Sequence, residues 1–368
     1  MKMKKAMMSL LLAGCLCFTA CGSGSGSTTA AAGTTAGGND ATTTAAAEGT
    51  TAAPAADGEN YHYIMGHGAA EKSIGDLYCL KFKELVEEKT GGVVTVDVYS
   101  GSQLGTYGEM MQSLQTGDIG GMIFQPSPAV SFVPELAVLD IPYAFLGCTQ
   151  EQIDKVLNDS EFSKILYESF DKSGYKVMSF AQAATFREVT SKKELKTAED
   201  FKGLNIRTLE NNNHIAFWKA VGANPTPVAF NELYLSLQQG LVDAQENPYD
   251  TALNAGFAEV QSYLVDTHHI LYPNLFIVNK ALYESMPAEV QAQFDEAAAE
   301  AKTYAENLMK ESAETDKQAL IDAGLTYIEL PDSELQKMKD MGTETVEKLV
   351  REALGDATVD AFKNSLAQ

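Results

Sequence analysis

The sequence predicts an α/β protein of two lobes, with one long helix that packs against both. Strand-like and helix-like segments alternate along most of the chain, which favours mostly parallel sheets with helices on both faces. About 310 residues remain after an atypical N-terminal segment, more than a single core usually holds. A helical pattern of roughly 36 residues, from Ala288 to about Ala323, would be about 50 Å long and therefore longer than either lobe.

The first 58 residues have the composition of targeting and tether segments. Three lysines precede an apolar run from Ala6 to Phe18, which predicts a signal peptide over residues 1–20. Cys21 is the predicted lipidation site. Cys15 is an alternative that would leave a very short apolar region, and a secretory signal without acylation is another. Residues 21–58, the lipidated cysteine and an Ala/Thr/Gly/Ser stretch, are predicted to be a flexible tether, because they cannot bury enough apolar surface to fold.

The first lobe is predicted from two parts of the chain, residues 59–184 and 273–312. Its predicted strands are Tyr61–Gly66, Val93–Tyr99, Gly120–Phe124 and Tyr175–Phe180. The predicted helices between them start near Ile74, Glu109 and Lys155, where apolar residues recur at helical spacing. The helix from Lys155 extends to Phe170 in this interpretation.

The second lobe is predicted from residues 185–272 and 313–368. Its predicted strands are Phe186–Ser191, Leu204–Thr208 and Leu241–Asn247, and its predicted helices are Asn212–Val221, Phe230–Gly240, Asp332–Leu354 and Thr358–Leu366. The run His268–Asn279 is also strand-like and is broken at Pro273. The chain is expected to cross between the lobes near Ala184 and Tyr272.

The charge and the metal-binding side chains limit the partners of the protein. The formal charge is -23, and loss of the first 20 residues removes three lysines and leaves -26. Nucleic acid and anionic lipid headgroups are therefore poor partners, and an anionic ligand needs a local basic group. No metal-ligand spacing occurs among the five histidines, so we expect no metal or cofactor. Cys79 and Cys148 either form a disulfide bond or remain two thiols.

Polar side chains occur at the ends of two predicted strands of the second lobe. Gln245, Glu246 and Asn247 end one strand, and Arg207 lies near the end of another. In open α/β sheets, ligands bind outside the carboxyl ends of strands. These residues therefore indicate the floor of a ligand cleft.

Four segments resemble the substrate-binding proteins of tripartite ATP-independent periplasmic (TRAP) transporters. They are SQLGTYGEMMQSLQTGDIGGM (Ser102–Met122), FKGLNIRT (Phe201–Thr208), VGANPTPVAFNELYLSLQQGLVDAQENP (Val221–Pro248) and FAEVQSYLVDTHHI (Phe257–Ile270). The similarity extends from about Tyr61 to Asp332, in order. It implies a two-lobe, periplasmic-binding-protein-like (type II) fold with a hinge, which closes over an organic acid and delivers it to a membrane permease without chemistry of its own.

The resemblance also implies roles for four residues of the second lobe. Arg207 forms a bidentate salt bridge with the ligand carboxylate, and Arg187 is the second arginine of the site. Asn247 donates a hydrogen bond to the ligand, and Phe230 packs against it. The residues alone leave other interpretations open: a surface arginine at Arg207, a structural ion pair at Arg187, a turn residue at Asn247 and a core residue at Phe230.

Further ligand contacts are expected at strand-to-helix junctions. His67, Tyr107 and Gln125 lie at such junctions of the first lobe, and Glu210 follows the strand of Arg207. The resemblance departs from the sialic-acid-binding relatives at the positions of Tyr107 and Gln125, which puts that ligand in doubt. Trp218 is interpreted as helix packing and not as a stacking platform.

Two other function classes are alternatives to a carboxylate receptor. A neutral-sugar receptor of the ABC type would require aromatic platforms in the cleft. A secreted glycosidase would require two suitably spaced carboxylates, for which Glu246 and Glu210 are candidates, but both lie beside arginines that lower carboxyl pKa values. We therefore expect a monomeric receptor that is not an enzyme, held at the outer face of a Gram-positive-type membrane, or in a periplasm, by its lipid anchor alone. Sugar acids, including uronates, C4-dicarboxylates, 2-oxo acids and sialic acids all fit one arginine clamp.

Overall fold

The computed structural model describes residues 60–367, which form two β-sheets with surrounding helices. The strands are β1 (Tyr61–Gly66), β2 (Val94–Tyr99), β3 (Gly121–Phe124), β4 (Tyr175–Ala181), β5 (Glu188–Ser191), β6 (Asn205–Thr208), β7 (Asn224–Pro227), β8 (Ala244–Asn247), β9 (Tyr263–Asp266), β10 (Asn274–Asn279) and β11 (Thr326–Glu329). The predicted signal peptide, tether and lipidated cysteine lie outside the described residues.

Eleven α-helices occur within residues 60–367. They are α1 (Ile74–Lys89), α2 (Tyr107–Thr116), α3 (Gln150–Asn158), α4 (Glu161–Lys172), α5 (Asn212–Val221), α6 (Phe230–Gln239), α7 (Tyr249–Asn254), α8 (Lys280–Glu284), α9 (Ala288–Asp322), α10 (Asp332–Leu354) and α11 (Asp356–Leu366). Six of them begin at a side-chain cap, and four end at a glycine. In α2, for example, Thr106 and Glu109 form a capping box, and Gly117 adopts a left-handed conformation.

The two sheets define the two lobes. The first lobe contains the five-stranded sheet in the order β2-β1-β3-β10-β4, and the second contains the six-stranded sheet in the order β11-β9-β5-β8-β6-β7. Both sheets are mixed, in contrast to the mostly parallel sheets that the sequence suggested. β10 is antiparallel to β3 and β4, and β5 is antiparallel to β8 and β9. These two strands follow the hinge crossings, so they enter their sheets from the opposite direction.

Several predicted elements differ in extent from those of the structure. The predicted helix Lys155–Phe170 is two helices, α3 and α4, because the Ser160 hydroxyl caps the second by accepting a hydrogen bond from Ser163 N at 3.0 Å. Only the part of the run His268–Asn279 that follows Pro273 is a strand. Strands β7, β9 and β11 were not predicted. β7 contains two prolines, which an edge strand tolerates because one side of its backbone has no partner.

The long helix α9 contacts both lobes, as the sequence predicted. Its 35 residues span about 52 Å. It packs against α1 and β4 of the first lobe and against α7 of the second. Leu320, near its end, is buried in an apolar cluster with Leu233 and Leu237 of α6. The last helix, α11, packs against α3 and α4, with the Phe362 ring 5.2 Å from that of Phe162.

Two crossing segments pair side by side between the sheets and form the hinge. Phe186 and Leu271 form an antiparallel bridge, and Tyr272 N donates to the carbonyl of Thr185 at 2.9 Å. Ala184 and His268, at the ends of these segments, have positive φ angles of 53° and 46°. Such a conformation is uncommon for residues other than glycine and marks where the chain turns between sheets.

The described residues also answer two smaller questions. Cys79 is buried and Cys148 is half-buried, and both are free thiols, so they do not form the disulfide that the sequence left open. Trp218 is fully buried and stacks on Phe201 with a centroid distance of 5.7 Å, which confirms its interpretation as a packing residue. Within residues 60–367, no helix is both long and apolar enough to cross a bilayer.

Candidate ligand-binding site

A cavity of about 260 Å³ lies in the cleft between the two lobes. Tyr107 and Pro128 contribute to its wall from the first lobe, and Arg207, Glu210 and Phe230 contribute from the second. The wall is formed largely by the segments that follow strands and by the starts of α2 and α6. It is therefore at the strand ends, where the sequence predicted a ligand.

Arg207 places an unneutralised positive charge at this cavity. The side chain is 1% exposed. Its Nε and Nη2 atoms donate to the carbonyl oxygen of Val228 at 2.8 and 2.6 Å, whereas Nη1 is buried without a hydrogen-bond partner. Burial lowers the pKa of Arg207 to about 10, and nearby Glu246 opposes this shift, so the guanidinium remains protonated at neutral pH.

Arg187, in contrast, is already paired. Its Nε atom and its Nη2 atom contact the carboxylate of Glu246, the latter at 2.9 Å, and Nη2 also donates to Asn247 Oδ1 at 3.1 Å. His269 Nε2 lies 3.1 Å from the same carboxylate. Burial alone would raise the pKa of Glu246, but Arg187 and His269 outweigh it, so the pKa is well below its usual value. Glu246 therefore stays ionised and balances the charge of Arg187.

Asn247 is held at the end of β8 by a chain of buried amides. Its Oδ1 accepts from Arg187, and its Nδ2 donates to Gln245 Oε1 at 2.6 Å. Gln245 Nε2 in turn donates to Thr190 Oγ1 on β5 at 2.9 Å. One N–H of the Asn247 amide is left over from this chain. The polar residues of this strand thus lock one another in place.

In the first lobe, His67 and Gln125 are buried at strand ends. His67 Nε2 lies 3.1 Å from Asp76 Oδ1, and its Nδ1 has no partner. Burial outweighs the effect of Asp76 and lowers the pKa of His67, so its ring is neutral at neutral pH. Gln125 donates to the hydroxyl of Ser127 at 2.7 Å and accepts from the Ser127 backbone N–H at 3.2 Å. Gln125 therefore fixes its own loop.

Tyr107, Phe230 and Glu210 supply the rest of the predicted wall. The Tyr107 ring packs 5.9 Å from Phe124, and burial raises the pKa of its hydroxyl, which stays protonated. Phe230 is the first residue of α6 and packs 6.4 Å from Phe257. Glu210 is exposed at the cavity. Of the eight predicted ligand residues, these three and Arg207 line one cavity, whereas Arg187, Asn247, His67 and Gln125 are buried and are not on its wall.

Sequence reasoning missed a buried polar network between the two lobes. The wholly buried Asp140 accepts hydrogen bonds from Ser127 Oγ at 2.5 Å, Asn211 Nδ2 at 2.8 Å and Asn213 Nδ2 at 3.1 Å, and His214 Nε2 lies 3.2 Å from it. The network fixes the start of α5, which directly follows the strand of Arg207. The polar run from Asn211 to His214 at a predicted helix start was the available signal.

A cleft between two lobes, with one unneutralised guanidinium on its wall, is the arrangement of a solute-binding protein. No group of three or more metal-ligating side chains in the described part of the chain is placed to hold an ion. Residues 65–353 match the family model described as bacterial extracellular solute-binding protein, family 7, or DctP. The chain belongs to this family, whose members are substrate-binding receptors of TRAP transporters and not enzymes.

Curated relatives agree with this assignment. The chain is 31% identical over 294 residues to the 2,3-diketo-L-gulonate-binding periplasmic protein YiaO of Escherichia coli, covering 80% of this chain and 83% of YiaO. It is 32% identical over 293 residues to the C4-dicarboxylate-binding periplasmic protein DctP of Rhodobacter capsulatus, covering 78% and 86%. A solute-binding protein of Verminephrobacter eiseniae is 36% identical over a shorter match, which covers 59% of this chain and 64% of that protein.

The fold also matches solved structures. A TRAP periplasmic solute-binding protein from Desulfovibrio salexigens, with bound orotic acid, superposes with a TM-score of 0.79 at 26% identity. The match covers 84% of this chain and 99% of that one. The two-lobe, periplasmic-binding-protein-like fold predicted from the sequence is therefore confirmed.

Proposed function

We propose that this protein captures an organic acid by a salt bridge between the ligand carboxylate and Arg207, and delivers the acid to a TRAP membrane permease. The observation that carries the proposal is the buried Nη1 atom of Arg207, which lacks a partner at the cleft cavity. An unpaired buried charge is costly, and a carboxylate would neutralise it. Nη1 and the second N–H of Nη2 can donate to both oxygens of one carboxylate.

Three of the other predicted residues, Tyr107, Glu210 and Phe230, share the cavity wall with Arg207. Tyr107 supplies a protonated hydroxyl and Phe230 an apolar face at the cavity wall. Arg187 and Asn247 lie off this wall, and we propose that the acid reaches them when it binds, through the N–H groups that Glu246 and Gln245 leave free. His67 and Gln125 also lie off the wall, and we propose that the acid contacts them on the first-lobe side, with the unpaired Nδ1 of His67 as one partner.

The charge balance of the site favours an acid with one carboxylate and several hydroxyl groups. Arg207 is the cation without an acidic partner, since Glu246 neutralises Arg187 and burial keeps His67 neutral. Glu210, on the wall, would repel a second carboxylate and would accept hydrogen bonds from hydroxyl groups. Among the relatives, YiaO binds a sugar acid and DctP binds C4-dicarboxylates. We place this protein with the sugar-acid binders.

We further propose that the receptor is a monomer held at the outer face of the membrane by a lipid on Cys21. Residues 21–58 would then act as a tether that keeps the cleft within reach of the permease. Labelling of the protein by a radioactive fatty acid, and its loss in Cys21→Ala, would test this anchor. Retention of the label in that variant would contradict the choice of Cys21.

A neutral sugar could contact Tyr107 and Phe230 in the cleft, but it would leave the charge of Arg207 without a counter-ion. Trp218, the aromatic residue best suited to stack on a sugar, is buried against Phe201 away from solvent. Glu246 is ionised and paired with Arg187, so it cannot donate a proton as a glycosidase acid must.

The experiment that tests the proposal uses matched ligands in a thermal-shift panel. Each set shares one carbon skeleton: D-galactonate, galactarate and galactitol form one set, and D-erythronate, meso-tartrate and erythritol form another. At least one monocarboxylate should raise the melting temperature most in its set, and the neutral polyols should have no effect. Equal stabilisation by a polyol would contradict the Arg207 salt bridge, whereas a larger shift with a dicarboxylate would contradict the charge balance only.

A further inference from the structure

A second cavity, of about 180 Å³, lies where the hinge meets α1, α7 and α9. Its wall is mainly apolar and includes Ile74 of α1, Tyr272 of the hinge and Met309 and Ala313 of α9. Two carboxyl groups, Asp250 of α7 and Asp316 of α9, also line it. This cavity is separate in its lining residues from the cavity of Arg207.

Asp250 joins the two lobes directly. Both of its carboxyl oxygens lie 3.4 Å from the backbone nitrogen of Ile74, the first residue of α1. Asn254 Nδ2, one turn later in α7, donates to Asp250 Oδ1 at 2.8 Å and orients the carboxyl group. The helix α7 directly follows Asn247 and Pro248, so Asp250 ties the strand end at the ligand cleft to the first lobe.

The surroundings of Asp250 disfavour its negative charge. Asp316 faces it from α9, and Tyr272 faces it from the hinge. Of the other ionisable groups near the cavity, Glu188 is paired with His268, and Asp76 of α1 contacts the neutral ring of His67. In the described residues, neither Asp250 nor Asp316 forms a salt bridge with a cation.

The proton affinity of Asp250 follows from these contacts. Burial raises the pKa of Asp250 to about 7, Asp316 adds to the shift, and the Ile74 N–H and Asn254 oppose it. Burial raises the pKa of Asp316 as well. In an open form in which α7 has moved away from α1, water would reach Asp250 and its pKa would return toward the ordinary value of 3.8.

We propose that Asp250 is a positioning residue that holds α7 against the first turn of α1 in its protonated form, so that the lobes close more readily as the pH falls. The sign follows from linkage. The conformation with the raised pKa binds the proton more tightly, so protonation favours it. As the pH rises from about 4 to about 7, the closed form loses this advantage, and above about 7 the loss is complete.

The test measures lobe closure without ligand, so its result does not depend on the proposed function. Spin labels on keto amino acids at positions 112 and 239, exposed on α2 and α6, report the distance between the lobes. In the labelled parent, which keeps Asp250, the ratio of closed to open molecules should rise about 30-fold as the pH is lowered from 8.5 to 5.5, for an Asp250 pKa of about 7 in the closed form.

Three variants make the test specific. Asp250→Asn keeps an oxygen that accepts from Ile74 N–H but cannot ionise, so its ratio should depend much less on pH and should be at least as high as that of the parent at pH 5.5. Asp316→Asn should move the transition of the parent to a lower pH. Asp322→Asn, a control on the same helix whose carboxylate is exposed and contacts Gln318, should behave as the parent does.

A closed-to-open ratio that changes less than threefold in the parent would overturn the proposal. So would an Asp250→Asn variant that keeps the pH dependence of the parent. A failure of the acid panel together with a pH-dependent closure would overturn the proposed ligand class and leave this inference standing.

Discussion

Two substitutions of Arg207 should weaken acid binding to different extents, because its guanidinium donates hydrogen bonds to the backbone and, as proposed, also to the ligand. Two of its N–H groups hold the carbonyl of Val228, at 2.8 and 2.6 Å, and the remaining groups on Nη1 and Nη2 are free for a carboxylate. Arg207→Lys keeps the charge, but one nitrogen cannot reproduce this planar arrangement. Loss of one hydrogen bond to a charged group costs roughly 1.5–3 kcal/mol, which corresponds to about a ten- to hundredfold weaker affinity.

Arg207→Ala should be more severe. It removes the cation from the cavity, so the carboxylate of a bound acid would be desolvated without a counter-ion in a protein whose formal charge is -23. The Val228 carbonyl also loses both donors, which costs about 1–3 kcal/mol of stability, but removal of an unneutralised buried charge offsets that cost. We therefore expect a folded protein with little or no measurable acid binding.

Calorimetric titration with the acid that gives the largest thermal shift measures both variants against the parent. Arg351→Lys is the matched control, because Arg351 lies on α10 and forms ion pairs with Glu347 and Asp356 at the surface. Its affinity should equal that of the parent. An Arg207→Ala variant that binds the acid within about threefold of the parent would refute the role of Arg207.

Three further predictions concern the wall, the hinge and the motion of the lobes. A Cβ atom at Gly68 would lie 2.5 Å from the Tyr107 hydroxyl, so Gly68→Ala should displace that ring and weaken acid binding about tenfold. Unchanged affinity by calorimetry would show that Tyr107 is not a ligand contact. Glu188 raises the pKa of His268 to about 9 despite burial. The ion pair between them therefore stabilises the folded protein fully below pH 6.5, and this contribution is lost as the pH rises through 9. Since His268 is partly exposed, we expect the ion pair to contribute about 1–2 kcal/mol to the free energy of unfolding. Between pH 7 and pH 9.5, the melting temperature of the parent should therefore fall by about 2–6 °C more than that of His268→Gln. Equal falls would contradict this assignment. Small-angle scattering should show a smaller radius of gyration with saturating acid than without it, and identical profiles would argue against closure of the two lobes.

Most of the fold could be predicted from the sequence because its elements carry strong local signals. The helix Asn212–Val221 was predicted with its observed bounds, since Asn211 caps its start and Gly222 adopts a left-handed conformation at its end. The strand Tyr61–Gly66 was also predicted with its observed bounds. The edge strand β7 was missed because two prolines normally argue against a strand, and β11 was missed because its four residues are only partly buried.

The site was predictable in position but not in charge state. Strand ends in an α/β fold indicate where a ligand lies, and the family resemblance pointed to Arg207. The sequence could not show that Glu246 would take up the charge of Arg187, because the pair depends on β5 and β8 lying side by side. The contact between Asp250 and Ile74 was equally hidden, since 176 residues separate the partners and they meet only through the packing of the lobes.

The structure of the protein in complex with the acid that gives the largest thermal shift is the most direct test of the carboxylate clamp. Both carboxylate oxygens should lie about 2.7–2.9 Å from nitrogen atoms of the Arg207 guanidinium, with Nη1 as one donor and with the Arg187–Glu246 pair intact. A bound acid whose carboxylate contacts other groups, and leaves Nη1 of Arg207 unpaired, would contradict the account.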